Sequence, residues 1–175
     1  MSPREERLRS LVHRFAPEVG AYLRRRSYPL GPPEVDDMVQ EVFVVAWRRL
    51  DDIPADRELP WLIGTARNVL SNARRSHSRR RALLARVTPR AEEPAAEDYA
   101  VANSTLRDAL RRLSGSDREL LLLHYWEGLG APELAVALGI KEGAAFTRLS
   151  RATSRLREAY AAVGEVEVKA KASRT

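Results

Sequence analysis

Apolar residues recur every three or four positions along almost the whole chain, and this spacing predicts helices. Val12, Phe15, Ala16, Val19, Tyr22 and Leu23 share one helix face. The segment YPLGPP, residues 28–33, interrupts the pattern because proline and glycine cannot continue a helix there. Val35, Met38, Val39, Val42, Phe43, Ala46 and Leu50 mark a second helix. Asp51 to Pro60, with its two prolines, predicts a polar loop. Trp61, Leu62, Ala66, Val69, Leu70 and Ala73 mark a long third helix. No alternating strand pattern and no internal repeat is visible.

The second half reads the same way. Leu106, Ala109, Leu110 and Leu113 share a face. Ser116 and Glu119 have the spacing of a capping box, in which the two side chains satisfy the first free amides. The helix they start carries Leu120, Leu121, Leu123 and Tyr125, and Glu127-Gly128 ends it. Pro132 suits the first turn of the next helix, and Gly139 suits the left-handed position that stops it. A last helix is expected from about Glu142 to about Ala162, followed by a polar, frayed tail over 163–175.

Charge divides these helices into two groups. From Arg67 to Arg90 there are eight arginines and no acid, whereas Ala91 to Tyr99 holds four acids and no base. The stretch TPRAEEPAAED has little to bury and reads as a flexible linker. The expected organisation is all-α. A helical domain over 8–86 is joined by a linker over 87–102 to a second helical domain over 103–162, which contains a helix-turn-helix.

Composition narrows the function classes. The 175 residues carry 30 basic and 24 acidic side chains, a formal net charge of +6, which suits a polyanionic partner. There is no cysteine, which excludes disulfides and thiolate metal sites. No apolar run approaches the roughly 18 residues of a membrane span. The first ten residues, MSPREERLRS, lack a signal-peptide core. A cytoplasmic chain without membrane insertion is expected. No nucleophile–base arrangement or glycine-rich phosphate loop is visible, so no enzymatic activity, no cofactor and no small-molecule substrate are expected. His13, His77 and His124 are dispersed and read as surface or structural histidines. Trp47, Trp61 and Trp126 each fall on or beside an apolar face and read as core.

The most informative stretch is APELAVALGIKEGAAFTRLSRATSRLR, residues 131–157. Two helical patterns meet at a glycine turn, the outline of a helix-turn-helix. Ala145, Leu149, Ala152 and Leu156 face inward. Arg148, Arg151 and Arg155 lie on an adjacent face, with Thr147, Ser150 and Ser154 between them. Such a surface contacts phosphates and base edges together. An isolated basic helix is more often a solvated face, but the helix-turn-helix context favours DNA.

These residues carry a family likeness. LRDALRRLSGSDRELLLLHYWEGLGAPELAVALGIKEGAAFTRLSRATSRLREA resembles the C-terminal domain of bacterial sigma factors. DDMVQEVFVVAWRRL, followed by PWLIGTARNVLSNARR, resembles their N-terminal domain. Two such domains joined by a short linker resemble the extracytoplasmic-function, or group IV, sigma factors over about residues 8–162. The resemblance implies a core RNA polymerase partner bound through Asp37, Gln40 and Glu41, with Val44, Val45 and Arg48 extending the surface. It implies a minus-ten promoter site at the loop after Asp51, including Asp52, Asp56, Arg57 and Trp61. Arg67, Asn68 and Asn72 belong to this site beside the loop, and Arg74, Arg75, Arg79, Arg80 and Arg81 would track phosphates. It implies a minus-thirty-five site at Lys141, Ala144, Thr147, Arg148, Arg151, Ser154 and Arg155. It also implies regulation by an anti-sigma factor.

The chain departs from the family pattern at two places. Glu58 stands where many relatives carry an aromatic residue, and Phe146 where lysine is usual. Phe146 can either pack in the core or touch a thymine methyl. Between Trp61 and Arg90 the only aromatic residue of the Phe, Tyr or Trp type is Trp61, so weak general melting power is expected. One alternative is a helix-turn-helix regulator that acts without being a polymerase subunit. That reading gives DDMVQEVF no task. A second is an interaction module that silences another helical protein, which leaves the arginine faces unexplained.

Overall fold

The computed structural model describes residues 2–85 and 104–172, with side chains described through 83 and through 164. The linker expected over 87–102 lies outside the described residues. The chain divides into two compact units, Met1–Asp98 and Tyr99–Thr175. Every described element is helical.

In the first unit, α1 spans Pro3–Arg26, α2 spans Pro32–Arg48 and α3 spans Glu58–Ala85. Each of the three packs on the other two. Ser2 starts α1 through a capping box with Glu5, and Pro32 and Pro33 occupy the first turn of α2. The core gathers Leu11, Val19, Tyr22 and Leu23 from α1 and Val35, Met38, Val42, Phe43 and Ala46 from α2. Leu62, Ile63, Ala66, Val69 and Leu70 complete it from α3. Val12 is exposed instead. The buried register of α1 runs 11, 19, 22, 23, and Val12 lies about 100° around the helix from Leu11.

The segment expected as a polar loop after Asp51 is more ordered than its composition suggests. Leu50–Asp52 forms one 3-10 turn, with Leu50 and Ile53 buried on its inner side. α3 begins three residues earlier than Trp61, at Glu58.

In the second unit, α4 spans Ser104–Arg111, α5 Gly115–Tyr125, α6 Ala131–Leu138 and α7 Glu142–Ala172. α4, α5 and α6 all pack against α7. Leu110, Leu113, Leu120, Leu121, Leu123, Leu134, Ala145 and Ala152 build this core, and Tyr125, expected among them, is exposed. Ser114, not Ser116, caps α5, accepting a 3.1 Å hydrogen bond from the Asp117 amide. Arg118 then reaches back to the end of α4. Its guanidinium donates to the carbonyl oxygens of Leu110 (2.9 Å), Leu113 (3.1 Å) and Arg111 (3.3 Å). α6 ends as expected at Gly139, whose φ of 64° is left-handed. The Ile140 amide bonds to the Ala135 carbonyl at 3.0 Å and the Gly139 amide to Val136 at 3.3 Å, the Schellman pattern. α7 continues ten residues past Ala162, so most of the tail expected to fray is helical.

Candidate nucleic-acid and protein interfaces

The outer face of α2 is a narrow stripe. Asp37, Gln40, Glu41, Val44 and Arg48 are all exposed and follow the three-and-four spacing of one helix side. Val45 lies at its edge and is half-buried. Val44 keeps 47% of its surface open, an apolar centre with a polar rim. Trp47, expected in the core, is 38% exposed at the other edge of the stripe. Arg4 holds it, with the guanidinium 5.5 Å from the ring centroid and paired with Asp51. Sequence reasoning missed Trp47 as a surface residue. The available signal was its position three residues after Val44.

The segment between α2 and α3 is bracketed by α1. Arg7 donates to the Ile53 carbonyl at 2.7 Å, and Arg14 pairs with Glu58 at 2.9 Å. Glu58 is therefore a bracing residue, with only 12% of its side chain exposed. Asp52 pairs with Arg49 at 2.9 Å, and Asp56 lies 3.6 Å from Arg57. Asp52 and Asp56 remain exposed at the outer side of the segment.

On α3 the residues singled out by sequence separate into two sets. Trp61, Asn68, Asn72, Arg75 and Arg79 share one helix side, spaced 7, 4, 3 and 4 residues apart. The line is about 27 Å long. The last four are exposed, and Trp61 is half-buried beside the Arg49 guanidinium, 5.7 Å from its ring centroid. Arg75 donates to the Asn72 side-chain oxygen at 2.5 Å. Arg67 and Arg74 fall on a flank and are half-buried. Arg74 donates to the Arg26 carbonyl at 2.5 Å, so it fastens α3 to the end of α1. Arg80 is exposed and Arg81 half-buried on the next turn.

In the second unit, α6 and α7 flank the turn Gly139-Ile140-Lys141. Lys141, Thr147, Arg148, Arg151 and Ser154 are exposed, and Ala144 is half-buried. Arg155 pairs with Asp117 at 2.7 Å, which ties α7 to α5. Thr147 donates its hydroxyl proton to the Gly143 carbonyl at 2.9 Å. Phe146 is 67% exposed, so it does not pack in the core. Trp126, another expected core residue, is exposed at the end of α5. His124 Nδ1 lies 2.8 Å from the Leu129 carbonyl oxygen. A carbonyl only accepts, so the proton sits on Nδ1, and the ring fixes the turn into α6.

Among the described residues no cluster of three or more potential metal ligands occurs. No described helix is long and apolar enough to cross a membrane.

Comparison with known proteins accounts for both units. Residues 11–80 match Sigma-70 region 2, and residues 104–156 match Sigma-70, region 4. The chain is 32% identical over 140 residues to the RNA polymerase sigma factor NccH of Alcaligenes xylosoxydans xylosoxydans, covering 75% of each chain. It is 31% identical over 131 residues to the ECF RNA polymerase sigma factor SigL of Mycobacterium tuberculosis, covering 71% of this chain and 73% of that one. Among solved structures, CnrH in complex with the cytosolic domain of CnrY superposes with a TM-score of 0.53 at 29% identity. That likeness covers 89% of this chain and 88% of CnrH. The region 2 match spans DDMVQEVF, the segment that a stand-alone regulator would leave without a task. The chain belongs to the extracytoplasmic-function sigma factors, which bind core RNA polymerase and direct promoter-specific initiation.

Proposed function

We propose that three surfaces of this chain divide the work of initiation. The α2 stripe of Asp37, Gln40, Glu41, Val44, Val45 and Arg48 docks on core polymerase. The α3 line from Trp61 to Arg79, with Asp52, Asp56 and Arg57 beside its start, captures unpaired bases of the minus-ten element. Asparagine offers donors and acceptors to a flipped base, while Arg75 and Arg79 contact phosphates. Arg67 and Arg74 act from the flank, Arg74 mainly by holding α3 in place. α7 enters the duplex minus-thirty-five element with Lys141, Ala144, Thr147, Arg148, Arg151, Ser154 and Arg155. The arrangement of α6, a Schellman turn and α7 with exposed Arg148 and Arg151 carries this part of the reading.

Melting in this scheme needs no catalysis. Bases held only when flipped shift the equilibrium towards open DNA. The chain is thus a non-enzymatic subunit acting in the cytoplasm, built from domains over 8–86 and 103–162. CnrH has been solved with the cytosolic domain of CnrY. By extension, an anti-sigma factor holds this chain inactive by covering the α2 stripe and the α7 surface.

Run-off transcription with purified core polymerase on a promoter library tests the scheme. Initiation should depend on this chain and select two elements. Arg148→Ala should cost about 1–3 kcal/mol and relax one position of the minus-thirty-five element if the arginine reads a base. Failure to initiate on any template, with no inhibitor present, would refute the proposal.

A further inference from the structure

Phe146 stands out on the surface of α7. It lies in the first two turns of that helix and is 67% exposed. Its neighbours one turn away are Glu142, Gly143, Leu149 and Ser150. Leu149 is half-buried and the other three are exposed and polar or small, so the helix offers the ring little apolar cover. A phenyl ring has neither donor nor acceptor.

The residues beside it point the same way. Ala144 offers only a methyl group. The Thr147 hydroxyl proton is already bonded to the Gly143 carbonyl. From Ala144 to Thr147 the leading part of α7 presents mostly hydrocarbon, and strong donors begin only at Arg148 and Arg151. The N-terminal residues of the second helix of a helix-turn-helix are those that reach base edges. In the major groove the hydrocarbon on a natural base edge is the C5-methyl group of thymine.

We propose that Phe146 is a specificity residue that reads a thymine methyl in the duplex minus-thirty-five element. The inference rests on the placement of α7 in the groove given above. Its partner is a T·A pair read by burial of a methyl rather than by a hydrogen bond. The position therefore discriminates against uracil, which presents the same donors and acceptors as thymine without the methyl.

Deoxyuridine substitution provides the test. Each thymine of the minus-thirty-five region, on either strand, is replaced singly in a promoter duplex recovered from the run-off selection. Binding of the full chain with core polymerase is then measured. Burying one methyl corresponds to about fourfold in affinity. The wild-type complex should lose about that factor at one or two adjacent thymines. Phe146→Ala should bind the thymine and uracil duplexes equally at those positions. Phe146→Leu should restore part of the difference, because it keeps an apolar side chain. An unaltered thermal transition for both variants, expected for so exposed a residue, assigns the change to recognition.

A flat scan in the wild type, or a loss that persists in Phe146→Ala, overturns the methyl contact while leaving groove placement intact. If the wild-type complex fails to recognise any minus-thirty-five duplex, the groove placement falls, and this inference with it.

Discussion

Arg118→Ala should unfold α4 preferentially. α4 has eight residues, too few to be stable without tertiary support. Of its last carbonyls, that of Leu110 already accepts from the Leu113 amide at 3.2 Å, so a further donor there reinforces the helix end. The Arg118 guanidinium donates to the carbonyls of Leu110 and Arg111 in α4 and of Leu113 just beyond it, at 2.9–3.3 Å. A hydrogen bond to a charged group contributes roughly 1.5–3 kcal/mol when protected from water. Arg118 is only half-buried and the Arg111 contact is long and exposed, so the three together are worth about 2 kcal/mol. A cation at a helix C-terminus adds roughly 0.3–1 kcal/mol.

A loss near 2 kcal/mol is about thirtyfold in the opening equilibrium. Hydrogen exchange followed by mass spectrometry on the full chain should show that increase for amides of α4 and the first turn of α5. Peptides of α1 to α3 serve as the internal control and should not change. In a thermal melt the second unit's transition should fall by about 8–16 °C, at roughly 4–8 °C per kcal/mol for a unit of this size. Arg118→Lys keeps the charge but not the planar fork, so it should recover about half of the loss. If exchange in α4 rises less than threefold in Arg118→Ala, the capping argument is wrong.

Three further outcomes are expected. Val44→Glu should weaken binding to core polymerase at least tenfold, measured by gel filtration or fluorescence titration, with an unchanged thermal transition because Val44 lies outside the core. Arg151→Ala should reduce the slope of log affinity against log salt for the minus-thirty-five duplex by about 1 if the arginine contacts one phosphate. With Trp61 the only Phe, Tyr or Trp of α3, and base stacking worth roughly 1–3 kcal/mol per base, single mismatches in the minus-ten element should sharply reduce open complex. Permanganate footprinting across a mismatch series checks this, and broad tolerance would refute it.

The helices were legible because their apolar spacing is regular. Val35, Met38, Val42 and Ala46 announce α2, and Pro132 with Gly139 announces both ends of α6. Some boundaries were not legible. The spacing of Ser116 and Glu119 pointed to Ser116 as the cap of α5, but the hydroxyl that meets the Asp117 amide is that of Ser114. The 3-10 turn at Leu50 hides in a run dominated by Asp and Pro, where two buried residues three apart are too weak a pattern. The polar stretch over 163–175 suggested a frayed end, yet α7 runs on to Ala172. The outer stripe of α2 was readable as the complement of its core face. Trp47 and Trp126 were misplaced because large aromatic residues are usually well buried, and here each sits at the margin of a helix face.

The roles of the arginines were the least legible, for a physical reason. A guanidinium in a sequence of net charge +6 looks like a contact for polyanions wherever it occurs. Arg7, Arg14 and Arg74 nevertheless turn to partners 46, 44 and 48 residues away. Arg155 turns to one 38 residues away. No local pattern encodes such pairings. In the proposed scheme they matter because the α3 line can capture bases only if the helix is fixed relative to the segment at its start. Arg7 and Arg14 secure that segment and the first turn of α3, while Arg74 secures its middle to α1. In the proposed scheme the basic excess thus has two uses: Arg7, Arg14 and Arg74 set the frame, while Arg75, Arg79, Arg148 and Arg151 are exposed and are the ones proposed to meet nucleic acid. It follows that Arg14→Ala and Arg75→Ala should fail differently. Arg14→Ala should lower both thermal stability and melting, because Glu58 loses its partner. Arg75→Ala should lower melting alone. Equal stability losses in the two variants would erase the distinction between frame and reader on which the α3 assignment depends.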